Sequence, residues 1–112
     1  MQDQFSWDEK NGWAIFRLEG KLDIIVSPRL EEFINQVLKD KDVKGILIDF
    51  SRVNYLSSAG MRLLLFLKKR MENKKCSFGV FSMQENILNI INSAGFDKVL
   101  SIFSTEEEAV QS

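Results

Sequence analysis

The chain has 112 residues, 45% hydrophobic and 28% charged, with a net charge of −1 at pH 7. That length and composition suit one globular domain, residues 1–112, with a core of its own. Near-neutral charge without a basic face argues against a nucleic-acid partner. The absence of histidine removes Ser-His-Asp and Cys-His catalysis, the common zinc sites and the usual neutral-pH base.

The elements follow in chain order. Residues 4–10 and 13–19 read as two strands joined by Asn11-Gly12, a two-residue hairpin signal. In the second strand Trp13, Ile15 and Arg17 alternate with Ala14, Phe16 and Leu18. Ser27-Pro28 reads as the start of a helix, serine at the N-cap and proline in the first helical position. Leu30, Phe33, Ile34, Val37 and Leu38 give that helix its apolar stripe. Residues 44–50 form a third strand whose Ile46-Leu47-Ile48 is apolar on both faces, as in a covered central strand. A second helix runs from the serines at 57 and 58 to about residue 73.

Residues 76–81 read as the fourth strand, and Cys76 at its start reads as a small core residue, since a lone cysteine has no disulfide partner within the chain. Ser82 to Glu85 reads as a capping box opening a third helix, which buries Ile87, Leu88, Ile90 and Ile91 and stops near Gly95. Residues 99–103 give a short fifth strand, and Thr105 to Glu108 a second capping box before a terminal helix. The order ββαβαβαβα predicts an α/β fold, a mixed and mostly parallel sheet packed with helices. The longest apolar run, 61–67, is broken by Arg62 and is far short of the roughly 20 residues that cross a bilayer. The polar, acidic first ten residues do not resemble a signal peptide. A cytoplasmic protein with no membrane partner is expected.

Sites in such sheets gather at the carboxyl ends of the strands. Two polar segments leave those ends: Gly20-Lys21-Leu22-Asp23, and residues 49–58 with Ser57 and Ser58 next to each other. Serine before a helix is commonly a cap, because its hydroxyl accepts a bond from an orphan backbone N–H. Nucleophilic catalysis is the weaker reading: there is no GxSxG elbow, no SxxK and no phosphate-cradling glycine loop. A third reading is phosphorylation. A phosphate at this turn would meet free N–H groups and the positive end of the helix dipole. Gly60 would leave the first turn bare for a partner's backbone. Arg62, four residues beyond Ser58, would lie on the same helix face.

The segment ILIDFSRVNYLSSAGMRLLL resembles the signature of STAS domains, the fold of sulphate-transporter tails and anti-sigma-factor antagonists. Gly20 to Asp23, residues 85–100 and Glu107-Glu108-Ala109 fit the same family, so the resemblance spans roughly residues 5–110. It implies a STAS fold and a stand-alone anti-sigma factor antagonist, with no catalytic residue, metal or cofactor. The family's phospho-acceptor falls on Ser58, its strand-end acidic residue on Asp49 and its loop aspartate on Asp23. Many members carry aspartate where this chain has Ser57, which leaves Ser57 as a second candidate acceptor. The resemblance implies partner switching. Unphosphorylated protein binds an anti-sigma factor that is also a serine kinase, phosphorylation at Ser58 releases it, and a PP2C-type serine phosphatase resets the cycle. The expected docking surface comprises Asp23, Asp49, Ser57, Ser58, Ala59, Gly60, Met61 and Arg62, on a monomer or weak dimer. Two other readings stand beside it. One is a STAS scaffold or nucleotide- or lipid-binding module in a sensory complex. The other is an aspartate-phosphorylated receiver domain, which lacks here its acidic pair and late Lys-Pro.

Overall fold

The structure is a computed structural model that describes residues 5–112. A single five-stranded sheet runs in the sequential order β1-β2-β3-β4-β5. The strands are β1 (Phe5–Lys10), β2 (Trp13–Leu22), β3 (Gly45–Leu56), β4 (Ser77–Phe81) and β5 (Ser101–Phe103). β1 pairs antiparallel with β2, and every later pair is parallel. Asn11 and Gly12, both with positive φ, make the hairpin turn. Gln4, the first residue of the predicted β1, lies outside the described residues.

Crossovers of one hand that always step to the next strand place their helices on one face of a sheet. The helices α1 (Val26–Leu38), α2 (Ser58–Asn73) and α3 (Glu85–Ser93) accordingly cover one face, where Phe16, Ile46, Ile48 and Val80 meet Leu30, Ile34, Leu64, Leu67, Ile87 and Ile91. The alternate residues Trp13, Ile15, Leu47 and Phe81 face the other way. There they are covered by Ala109 and Val110 of α4 (Glu106–Val110). The ββαβαβαβα order is observed, with a short 3-10 turn, Phe96–Lys98, in the connection to β5.

Several boundaries differ from those read in the sequence. β2 and β3 continue to Leu22 and Leu56, so the segments expected to be loops are paired strand. The register slips between Arg17 and Glu19 and between Gly20 and Lys21. These irregularities break the two-residue period, so Phe50, Val53 and Leu56 are buried at intervals of three. Helix α1 starts before Ser27. Asp23 Oδ1 accepts from the Ile25 and Val26 amides at 3.0 and 2.9 Å, and Ser27 lies buried inside the first turn. Pro28 is tolerated at the third position, where its missing N–H would have no helical acceptor. Ser82 does not cap α3 either. It has φ of 57°, its N–H and hydroxyl donate to Phe103 O and Ser104 O, and Glu85 opens the helix after Gln84. The Thr105 cap is as expected: its Oγ1 accepts from the Glu108 amide at 3.1 Å.

Candidate functional site

The carboxyl ends of β2 and β3 are joined where Leu22 O accepts two bonds from Ser57, one from the amide at 3.0 Å and one from the hydroxyl at 3.3 Å. The same hydroxyl accepts from the Gly60 amide at 3.1 Å, so Ser57 is the N-cap of α2. Its donor is used and one of its acceptor sites is filled. Ser58, the first helical residue, is exposed, and its hydroxyl has no partner among the described residues. Two neighbouring serines that read alike in sequence thus divide into a structural cap and a free hydroxyl.

The first turn of α2 is pressed against the end of β2. A Cβ on Gly60 would sit 2.6 Å from Leu22 O and 2.7 Å from Leu56 Cδ1, so the close approach that glycine permits is made within the chain. Gly60 and Met61 are buried, Ala59 is half-buried, and Arg62 is exposed with no partner among the described residues. Beside Ser58 opens a hollow of about 320 Å³ between α2 and α3, with Leu56, Met61, Leu65, Ile90 and Phe96 in its wall. Ile90 remains 41% exposed at its edge.

Asp23 holds the turn that carries Ile24 and Ile25 outward, where they are 69% and 58% exposed. Because Leu22 is bonded to Ser57, these two side chains stand at the same end of the molecule as Ser58. Sequence reasoning missed them, since nothing in the run Ile24-Ile25-Val26 marks which of its side chains are exposed. The signal was Asp23 itself: its carboxylate accepts from the Ile25 and Val26 amides and so holds a turn ahead of the helix, with Ile24 and Ile25 in it.

Asp49 is placed elsewhere. It lies on the α4 side of the sheet with a largely buried side chain, 2.8 Å from Arg17 Nη1, and its Oδ1 accepts from the Ser51 amide at 2.8 Å. Arg17 also bonds Asp8 Oδ2 and, at 2.8 Å, Glu106 Oε1, and Lys10 reaches the other Glu106 oxygen. The hydrogen bonds from Arg17 and Lys10 pull the Glu106 carboxyl down to about 2, and Glu106 in turn raises Arg17 and Lys10 above their ordinary values. This network fastens α4 to the sheet. Among the described residues no group of three metal-ligating side chains converges, and no helix is long and apolar enough to cross a membrane.

The site thus consists of a five-stranded sheet with helices α1–α3 on one face and an exposed serine opening the helix after its central strand. The STAS domain model matches residues 4–109, and the chain belongs to that family. Its relatives include the anti-sigma-F factor antagonist RsfB of Mycobacterium tuberculosis, 30% identical over 102 residues, 91% of this chain and 82% of that one. An anti-sigma factor antagonist from Mycobacterium paratuberculosis superposes with a TM-score of 0.85 at 24% identity, over 98% of this chain and 92% of that one. The phosphorylated form of the Bacillus cell fate determinant SpoIIAA superposes at 0.71 with 20% identity, over 96% of each chain. These likenesses to solved structures show a common fold.

Proposed function

We propose that the chain is a non-catalytic partner-switching regulator that binds an anti-sigma factor when Ser58 is free and is released when Ser58 is phosphorylated. The observation that carries this reading is the division between the serines. Ser57 is held in the cap and Ser58 alone presents an unengaged hydroxyl, so Ser58 rather than Ser57 is the acceptor. The docking surface joins Ser58, Ala59 and Arg62 to the exposed Ile24-Ile25 pair, with Asp23 fixing the turn between them. The hollow beside Ser58 receives an apolar side chain of the partner. Asp49, engaged by Arg17 and the Ser51 amide on the α4 side of the sheet, lies outside this surface.

A phosphate on Ser58 adds about −1.5 to −2 charges at the edge of that apolar surface. Its cost of desolvation, and repulsion from any carboxylate opposite, loosen the complex without refolding the antagonist. The partner supplies the kinase activity and its ATP, and a PP2C-type phosphatase restores the hydroxyl in the cytoplasm. Incubation with the cognate anti-sigma kinase and ATP should add one phosphate to the wild type and none to Ser58→Ala. The phosphorylated protein should bind the kinase at least about tenfold more weakly. Peptide mapping that put the phosphate on Ser57, or unchanged affinity after phosphorylation, would refute the assignment. The apolar lining of the hollow favours one second reading, a small apolar ligand beside Ser58; native mass spectrometry showing a stoichiometric adduct would support it.

A further inference from the structure

The outer side of α2 carries a second feature toward its C-terminal end. Phe66, Lys69, Arg70, Asn73 and Lys74 line a hollow of about 410 Å³. Their spacing of three and four makes them one strip of the helix. Phe66 also walls the hollow between α1 and α2, together with Glu31 and Arg62. The two hollows therefore lie end to end along α2 as a groove parted by their common wall, Phe66, which is 50% exposed.

Charge is distributed unevenly around this groove. Residues 39–44 and 68–75 hold eight of the chain's fifteen cations and three of its sixteen carboxylates; Lys41 and Lys44 turn away onto Trp7 and Trp13, and the cations that line the groove are Arg62, Lys69, Arg70 and Lys74, against the single carboxylate of Glu31. The fold brings the two segments to one end of the molecule: Arg70 donates to Asn35 of α1, Cys76 Sγ lies on Val43 O, and the Ser77 amide donates to Lys44 O. Lys68 is paired with Glu72. Lys69, Lys74 and Lys75 have no side-chain partner among the described residues and face solvent. Internal ion pairing therefore does not account for them.

We propose that this groove binds an acidic polypeptide segment carrying one bulky apolar side chain. The apolar side chain would rest on Phe66 and the carboxylates would face Lys69 and Lys74. Two observations favour a peptide over an anionic bilayer. The site is a groove along one helix rather than a convex apolar tip. Its upper end carries Glu31, which a sheet of negative headgroups could not avoid, whereas a peptide can confine its carboxylates to the lower half. Exposed charge pairs of this kind set specificity and association rate and weaken with salt.

The inference does not depend on Ser58, and its test is separate. The isotope-labelled full chain would be titrated, under NMR observation, with a glutamate peptide holding one central leucine and with the same peptide holding alanine. Vesicles of phosphatidylcholine and phosphatidylglycerol in equal parts would serve as the rival anionic surface. The expected result is amide shifts confined to α1, α2 and the 39–44 turn, with the leucine peptide the tighter ligand. Lys69→Glu with Lys74→Glu should weaken that binding by about tenfold, while Phe66→Ser should erase the advantage of leucine over alanine. Circular dichroism melts would establish that both variants fold. Shifts centred on another surface, equal affinity for the two peptides, no peptide binding, or tighter binding to the vesicles than to either peptide would each overturn the proposal.

Discussion

Ser57 Oγ donates to Leu22 O and accepts from the Gly60 amide, so its removal leaves a buried strand end and a helix start short of partners at once. Loss of a serine N-cap typically costs about 1 kcal/mol. Ser58 Oγ makes no such bond among the described residues, and its side chain is exposed. Urea unfolding should therefore place Ser57→Ala about 1 kcal/mol below the wild type, whereas Ser58→Ala should lie within about 0.5 kcal/mol of it. Equal losses would mean that the two hydroxyls share the cap, and Ser58 would then not be the free one. The sequence could narrow the cap to these two residues but could not choose between them. The choice depends on Leu22 O, which lies 35 positions away and reaches Ser57 only because β2 runs past its predicted end.

At the scale of elements, α4 is held less by its own five residues than by Glu106, which meets both Arg17 and Lys10. Glu106 titrates near 2 in the fold against an ordinary value of 4.5. A carboxyl with a depressed folded-state value stabilises the fold fully above its unfolded value, and that stabilisation is lost as pH falls through the folded value. Wild-type stability should thus decline between about pH 5 and pH 2. Glu106→Gln should be about 1–2 kcal/mol less stable at pH 7 and should lose less on acidification. Parallel pH profiles of the melting temperature for the two proteins would rule out this account. A helix with a regular period, such as α2, is legible in the sequence because burial imposes that period, and β4 is legible as a short apolar run buried on both faces. The far ends of β2 and β3 are not, since their irregular register hides the period. Ser27-Pro28 imitates a helix start, whereas α1 begins at Val26 behind a turn held by the Asp23 carboxylate. The Arg17–Glu106 pair joins residues 89 apart, and no local pattern reports it.

For the whole molecule, the two faces of the sheet are unequal. One is sealed by three helices over a continuous core; the other has Trp13, Ile15, Leu47 and Phe81 beneath a helix of five residues. A helix that short has no stability of its own, so α4 stays in place through Ala109, Val110 and the Glu106 ion pairs. Opening it exposes only the smaller cluster and leaves the Ser58 end, across the sheet, intact. Cooperative units with little buried apolar area open well below the global free energy. Native-state hydrogen exchange should therefore show the Ala109 amide, bonded to Thr105 O, opening at roughly 1–4 kcal/mol. Amides of the central strands, such as Ile46 and Ile48, should exchange only through global unfolding at about 5–10 kcal/mol. Glu106→Gln should lower the first value more than the second, because it loosens α4 without touching the larger core. If Ala109 proved as protected as Ile46, α4 would be part of the single cooperative unit, and the sheet would unfold from both faces together.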